Sequence, residues 1–440
     1  MNFSSFYQSN FPFAPSKIPF FYGWLIVIFT TLGTLASIPG QTMGIGVFTD
    51  YLIINTNLNR MQISISYMIG TIFSSLLIPI SGRYVDLFGT RIMISVAGIG
   101  LGVSLLLLSK SLDLINFLVS ILPENYRTLI SLLVMTFVFL LLRQFGQGLL
   151  AMVSRITLAK WFDRRRGLVT GISGIFVALG FSGSPLFLNS IIEEYGHYRS
   201  IVLMALIFGF GMAFLGWLFY RDNPEECGLV MDGEKNNLKE KNTKSIEFEI
   251  TLKEALKTYN FWIFSLGLCS ASLIMTGFTF HISSIGDIAG LSRAEVYIIF
   301  IPISVISMIS HLIAGWASDR MPLKYILMVM LFSLSIGCLG LLNLETAFFK
   351  ILLIIGFGLQ GGIWPCLMTV SWPRFFGRKY LGSISGAVMG AQVFSSAIGP
   401  AVFGLSEKLY GNYSSATIIL AVMNLFLLIG AVRAKSYYKG

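Results

Sequence analysis

Long apolar stretches alternate with short polar breaks along the whole chain. Read between the breaks, the runs fall at about 22–48, 61–82, 91–109, 129–160, 168–191, 200–220, 259–284, 294–317, 323–343, 347–372, 381–405 and 414–433. Each holds roughly the 20 residues a helix needs to cross the hydrocarbon core of a bilayer. One break is much longer than the rest: 221–257 is rich in Lys, Glu and Asn and contains no apolar run. The pattern predicts an all-α membrane protein of about 12 transmembrane helices in two six-helix bundles. The expected divisions are 1–221, a linker at 222–258, and 259–440.

Composition agrees. The 440 residues are 55% hydrophobic and only 12% charged, with a mean hydropathy of +0.76. Soluble domains carry about 25% charged residues, so this chain lacks the charge to cover water-facing domains, and it is too apolar to be disordered. The 44 glycines suit close helix contacts in lipid. Four cysteines without a C-x-x-C pair give no disulfide scaffold and no metal or redox motif; Cys227 alone lies in a polar loop. The start of the chain, with Lys17 its one basic residue before the first run, does not read as a cleaved signal peptide, and that run is too long for a signal core.

Placing the N-terminus inside puts 22 of the 31 Lys and Arg residues on the inner side and 7 on the outer; Arg143 and Arg155 fall within a run. That asymmetry predicts cytoplasmic termini in a plasma (bacterial inner) membrane. It also accounts for the net charge of +10 through topology, so no nucleic-acid partner is implied.

The two halves resemble each other. Gly82, Asp86 and Arg91 recur as Gly315, Asp319 and Lys324 at one offset of 233; Gly146, Gly167, Gly171 and Pro185 recur as Gly361, Gly382, Gly386 and Pro400 at an offset of 215. An internal six-span repeat is the mark of a transporter built around a central site. The spacing Gly82, Asp86, Gly89, Arg91 matches G-x-x-x-D-x-x-G-x-R, and here the chain resembles the major facilitator superfamily. The resemblance covers the whole chain and implies alternating access, with Gly82, Asp86, Gly89, Arg91, Gly315, Asp319 and Lys324 as the gating motif. Within the superfamily the pattern is closest to the monocarboxylate and oxalate–formate porters. It rests on Tyr22-Gly-Trp24, Trp161-Phe162 with Arg164 to Gly167, Asp222-Asn-Pro-Glu-Glu226, Ala255 to Thr258 with Phe261-Trp262, and Phe376-Gly-Arg378 with Leu381-Gly-Ser383. The chain departs where those porters place substrate-holding cations: His311 stands for an arginine and Gln392 for a lysine.

Ionisable residues at membrane depth default to functional candidates. All 21 acids fall in loops or at span ends, whereas Arg143 and His311 lie inside runs, with Arg155 and His281 nearer the ends. An interior with cationic and titratable groups but no carboxylate points to an anionic or neutral substrate. Arg143 reads either as an anion anchor or as a clamp on the carbonyls of a broken neighbouring helix. His311 is the candidate proton carrier. His281, followed by Asp287, fits a pattern of the resembled family. Gln41, beside the helix-breaking Pro39-Gly40, and Gln360, Trp364 and Gln392 complete the candidate substrate residues.

No enzyme constellation and no G-x-x-x-x-G-K-[ST] loop is present, so neither catalysis nor ATP drive is expected, and no cofactor is implied. The expectation is a monomeric secondary transporter of a small organic anion, with a proton as coupling ion. Efflux of a hydrophobic or drug-like metabolite is the alternative. A channel or a substrate-sensing receptor on a transporter fold stands as another class.

Overall fold

The computed structural model describes residues 8–121, 123–233 and 249–435; side chains at 50, 60, 124, 186, 283, 293 and 294 are outside that description. Residues 234–248 of the expected linker, with Lys235, Lys239, Lys241 and Lys244, lie outside the described residues, as does Lys439. Among those described there are helices and turns and no strand. Twelve helices are long and apolar enough to cross a membrane. They are α1 (Gly23–Gly40), α2 (Met61–Phe88), α3 (Thr90–Ser109), α4 (Arg127–Trp161), α5 (166–195) and α6 (197–219), which part at Gly196, then α7 (Tyr259–Ile282), α8 (Glu295–Ser318), α9 (Leu323–Gly340), α10 (Ala347–Phe376), α11 (Leu381–Tyr410) and α12 (Ser414–Val432).

These helices invert the rule of soluble proteins, as a lipid environment requires. On α12, Asn424 is fully buried and bonded to Ser270, while Phe426 is 70% exposed. Polar side chains turn inward to find partners, and apolar ones face outward.

By internal contact the chain divides into two compact units. One comprises Met1–Phe162, Leu179–Ile246 and Ser385–Gly390; the other comprises Asp163–Ala178, Glu247–Ile384 and Ala391–Gly440. In the first, α3 crosses α6 through bare backbone: a Cβ on Gly209 would lie 2.4 Å from the Gly102 Cα. In the second, α9 crosses α10 the same way, with a Cβ on Gly356 only 2.3 Å from the Gly337 nitrogen. Such approaches let dispersion act over the whole helix face, where no hydrophobic effect drives association.

The repeated glycines are used in one contact that occurs in both units. Gly82 of α2 meets Gly386 of α11, a Cβ on the latter standing 3.0 Å from the Gly82 Cα. Gly315 of α8 meets Gly171 and Gly167 of α5; a Cβ on Gly167 would sit 2.0 Å from the Gly315 carbonyl oxygen. Five of the recurring glycines thus meet one another in these two contacts.

Three features depart from the simple reading of the runs. The first run, 22–48, is not one helix: α-helical geometry ends at Ala36, a tight turn covers Ile38–Gly40, and Gln41 is extended before a new short helix, Thr42–Gly46. Pro39 supplies the break, since it has no N–H to continue the ladder. The second helix outruns its apolar stretch by a turn and a half, through exposed Arg83, and stops only at Gly89, whose φ of +80° disfavours a side chain. An additional apolar helix, Ser111–Ile121, lies between α3 and α4.

Gly167→Ala is expected to lower the melting temperature of the purified protein, because the new methyl would meet fixed backbone; overpacking of this kind costs about 1–3 kcal/mol. Gly183→Ala, with open space around it, should be neutral or slightly stabilising. Equal melting temperatures for the two variants would refute the crossing.

Candidate functional site

The centre of the first unit is built on two irregular helices. The broken stretch of α1 lies against α4 where α4 widens into a π-helical turn, Arg143–Leu150. A Cβ on Gly40 would be 2.5 Å from the Leu142 carbonyl and 2.7 Å from the Gly146 Cα, so only glycines allow this approach. π-helical turns commonly mark functional positions.

Arg143 opens that turn and is 3% exposed. Its Nη1 donates to the Gly40 carbonyl at 3.3 Å, and its guanidinium lies 5.3 Å from the Tyr67 ring centre. Tyr67 in turn shares a 2.8 Å hydrogen bond with Thr42. The clamp on a broken helix is therefore present. It uses little of what Arg143 offers: no acid among the described residues pairs with it, and its Nε has no partner. The amide oxygen of Gln147, one turn on, is also without a partner. Gln144 faces elsewhere, bonding Ser74 and Ser81 of α2. Gln41 donates to Ser37 at 3.2 Å.

The other candidates lie in the second unit. His311 is 5% exposed, and its Nε2 is 3.0 Å from the Thr170 carbonyl of α5. Its ring fills the space left by Gly174, where a Cβ would come within 2.2 Å of Nε2. It is thus part of the α5–α8 crossing. His281 uses both ring nitrogens, one at 2.9 Å from the Pro400 carbonyl and one at 3.2 Å from the Tyr413 hydroxyl; Asp287 is not its partner. Trp364 donates to the Leu268 carbonyl, and Gln392 to the Met368 thioether. Gln360 is 3% exposed and its amide oxygen has no partner.

Among the residues of the recurring signature, one acid caps a helix. Asp319 receives the Gly167 and Leu168 N–H groups at 2.8 and 2.9 Å, at the start of α5, and Arg374 lies 3.6 Å away. Burial raises the carboxyl's pKa, and the two N–H donors and the arginines oppose that shift. A carboxylate at a helix N-terminus is stabilised by the aligned backbone dipoles. Gly89 clears space for a second acid the sequence reading left outside the motif: Asp222 accepts from the Thr90 and Arg91 N–H groups and from the Thr90 hydroxyl, capping α3. Lys324 does not reproduce the environment of Arg91; its recorded neighbour is the Tyr325 ring.

Arg91 and Arg221 hold a segment that sequence reading passed over. Arg91, 2% exposed, donates to the carbonyls of Trp217, Gln8 and Phe11. Arg221, fully buried, donates to those of Ser9, Phe11, Phe13, Leu218 and Tyr220. The stretch 8–13 is thereby tied across the ends of α3 and α6. No apolar period could have announced it, because backbone carbonyls make the bonds.

With this geometry in place, comparison with known proteins is decisive for the family. The model of the Major Facilitator Superfamily matches residues 25–400. The chain belongs to the major facilitator superfamily. It is a multi-pass membrane protein of a family of secondary transporters, not of enzymes. An uncharacterized 38 kDa protein in the 23S RNA operon of Thermoproteus tenax is 24% identical over 400 residues, 89% of each chain. Among solved structures, the proton:xylose symporter XylE is similar at a TM-score of 0.63 and 16% identity, covering 93% of this chain and 94% of that one. The E. coli fucose:proton symporter FucP gives 0.66 at 13%, covering 94% and 100%. The human organic anion transporter MFSD10 gives 0.61 at 12%, also covering 94% and 100%. At these identities the likeness is one of fold. The comparisons do not single out the monocarboxylate and oxalate–formate branch.

Cys227 reports on the tied segment. It is 2% exposed, and burial pushes its thiol up to about 12. At pH 8 about one native thiol in ten thousand is then ionised, against roughly one in four for a free cysteine. Alkylation at pH 8 should be very slow in the native protein, rise tenfold per pH unit, and become fast on unfolding or in Arg221→Gln. Rapid native labelling of Cys227 would contradict this packing.

Proposed function

We propose that this superfamily member carries a small organic anion, in the simplest case a monocarboxylate, by alternating access coupled to protons. It acts as a monomer in the plasma (bacterial inner) membrane with both termini cytoplasmic. The observation that carries the reading is the state of Arg143. A buried cation costs several kcal/mol unless its charge is met, and no acid among the described residues meets it. A substrate carboxylate would supply the missing charge through the free edge of the guanidinium, in the bidentate geometry arginine favours.

A neutral polyol is the second reading. It is favoured by the unpartnered amide oxygen of Gln147, one turn from Arg143, which can accept a hydroxyl donor, and two of the similar structures are sugar symporters. The two readings separate at Arg143. In proteoliposomes, Arg143→Gln should abolish uptake of carboxylates, and Arg143→Lys should restore it by less than a tenth, since lysine offers only a point charge. Normal carboxylate uptake by Arg143→Gln would remove the anion reading. Loss of xylose uptake, with no carboxylate transport in the wild type, would favour the polyol.

For coupling, His311 is the proposed proton site, a titratable side chain buried at the α5–α8 crossing. If its bond to the Thr170 carbonyl opens during the cycle, the ring meets water and can exchange a proton. His311→Gln should keep gradient-free exchange and lose acceleration by a pH gradient, both measured in the same vesicles. Full gradient stimulation in the variant would place the proton path elsewhere.

A further inference from the structure

A second arginine on α4 lacks an acid to pair with among the described residues. Arg155 lies twelve residues beyond Arg143, toward the basic loop Lys160 to Arg166, and it is only partly exposed. It makes no hydrogen bond or ion pair among the described residues. Leaving one arginine unpaired in a membrane span is costly; leaving two on the same span calls for a reason.

Helix geometry relates the two. In an uninterrupted α-helix, residues twelve apart are out of phase by about 120°. The π-helical turn between them, Arg143–Leu150, accommodates an extra residue, which sets the phase back by about 100°. Arg143 and Arg155 therefore fall within roughly 20° of one face of α4. Gln147 falls on that face between them, its amide oxygen unpartnered. The distance along the axis is roughly 15–18 Å. A small carboxylate cannot bridge that length, so one anion cannot be chelated by both arginines.

We propose that Arg155 forms a second binding site for the carboxylate substrate, separate from Arg143 and on the same face of α4. The two arginines are successive stations, with Gln147 as a hydrogen-bonding step between them. The π-helical turn aligns the stations. An anion leaving Arg143 toward the basic side meets a second unpaired guanidinium before it reaches the loop. A mid-path station lowers the barrier to release, since neither arginine must hold the ligand tightly enough to carry the whole passage.

This inference rests on the anion reading of Arg143, and its test separates the two. The purified full-length protein is dialysed to equilibrium against labelled lactate, with labelled xylose as neutral control. The wild type should bind two lactates per chain. Arg155→Gln and Arg155→Met should each bind one, at unchanged affinity, and Arg143→Gln should retain only the weaker one. Using two substitutions at 155, each checked by size exclusion and melting temperature, guards against a folding defect in either. If both 155 variants keep the wild-type stoichiometry and affinities, Arg155 is no station. If the wild type itself binds xylose and no lactate, the anion reading fails first and takes this inference with it.

Discussion

The Arg143 guanidinium, held by one carbonyl and the Tyr67 ring in the middle of a membrane helix, sets the terms for the surrounding structure. A cation there must find acceptors, because lipid offers none. A regular neighbouring helix would have none to give, its carbonyls being occupied by its own ladder. The chain answers with Pro39 and Gly40, which interrupt α1 and release a carbonyl where α4 passes. The approach needs two bare backbones, supplied by Gly40 and Gly146. The π-helical turn of α4 belongs to the same arrangement: it widens the helix where the broken strand of backbone lies. Each irregularity is costly alone, and together they position one charge whose demand the protein leaves partly unmet.

A second constraint governs the ends of the helices. Helix N-termini present unpaired N–H groups, and in thin polar layers beside a membrane these need dedicated acceptors. Asp319 serves α5 and Asp222 serves α3, each accepting more than one N–H. Both caps sit beside glycine crossings or glycine turns. The two caps are therefore one structural device used twice: glycine clears the backbone and an acid reaches the exposed amides. A cap of this kind is strong when aligned and lost when a helix shifts by a few ångströms, which suits a contact that a transport cycle must break and remake.

Much of this was legible in the chain itself. Span number and most boundaries followed from apolar length alone, because in lipid nearly every spanning residue must be apolar. The repeat was visible because its glycines are fixed by backbone contact, as Gly82 with Gly386 and Gly315 with Gly171 now make plain. Arg143, His311 and the Pro39-Gly40 break stood out as exceptions to the apolar pattern. What could not be read was anything carried by backbone geometry or by phase. The π-helical turn has no sequence period, so Arg155 stayed an isolated charge near a helix end. The tie of residues 8–13 to Arg91 and Arg221 uses carbonyls, which every residue has. His281 was matched to a family pattern of a histidine followed by an acid, and the structure gives its ring the Tyr413 hydroxyl and the Pro400 carbonyl as partners.

The central claim is that Arg143 awaits an anion. Ligand-induced thermal stabilisation of the purified protein tests it most directly, because it needs neither a gradient nor a complete transport cycle. Carboxylates and sugars of matched size are compared on the wild type and on Arg143→Gln. The account predicts that at least one carboxylate raises the melting temperature of the wild type in a saturable way, by about 1 °C for each kcal/mol gained, and leaves the variant unmoved. Stabilisation by sugars alone, or by carboxylates equally in both proteins, would contradict it.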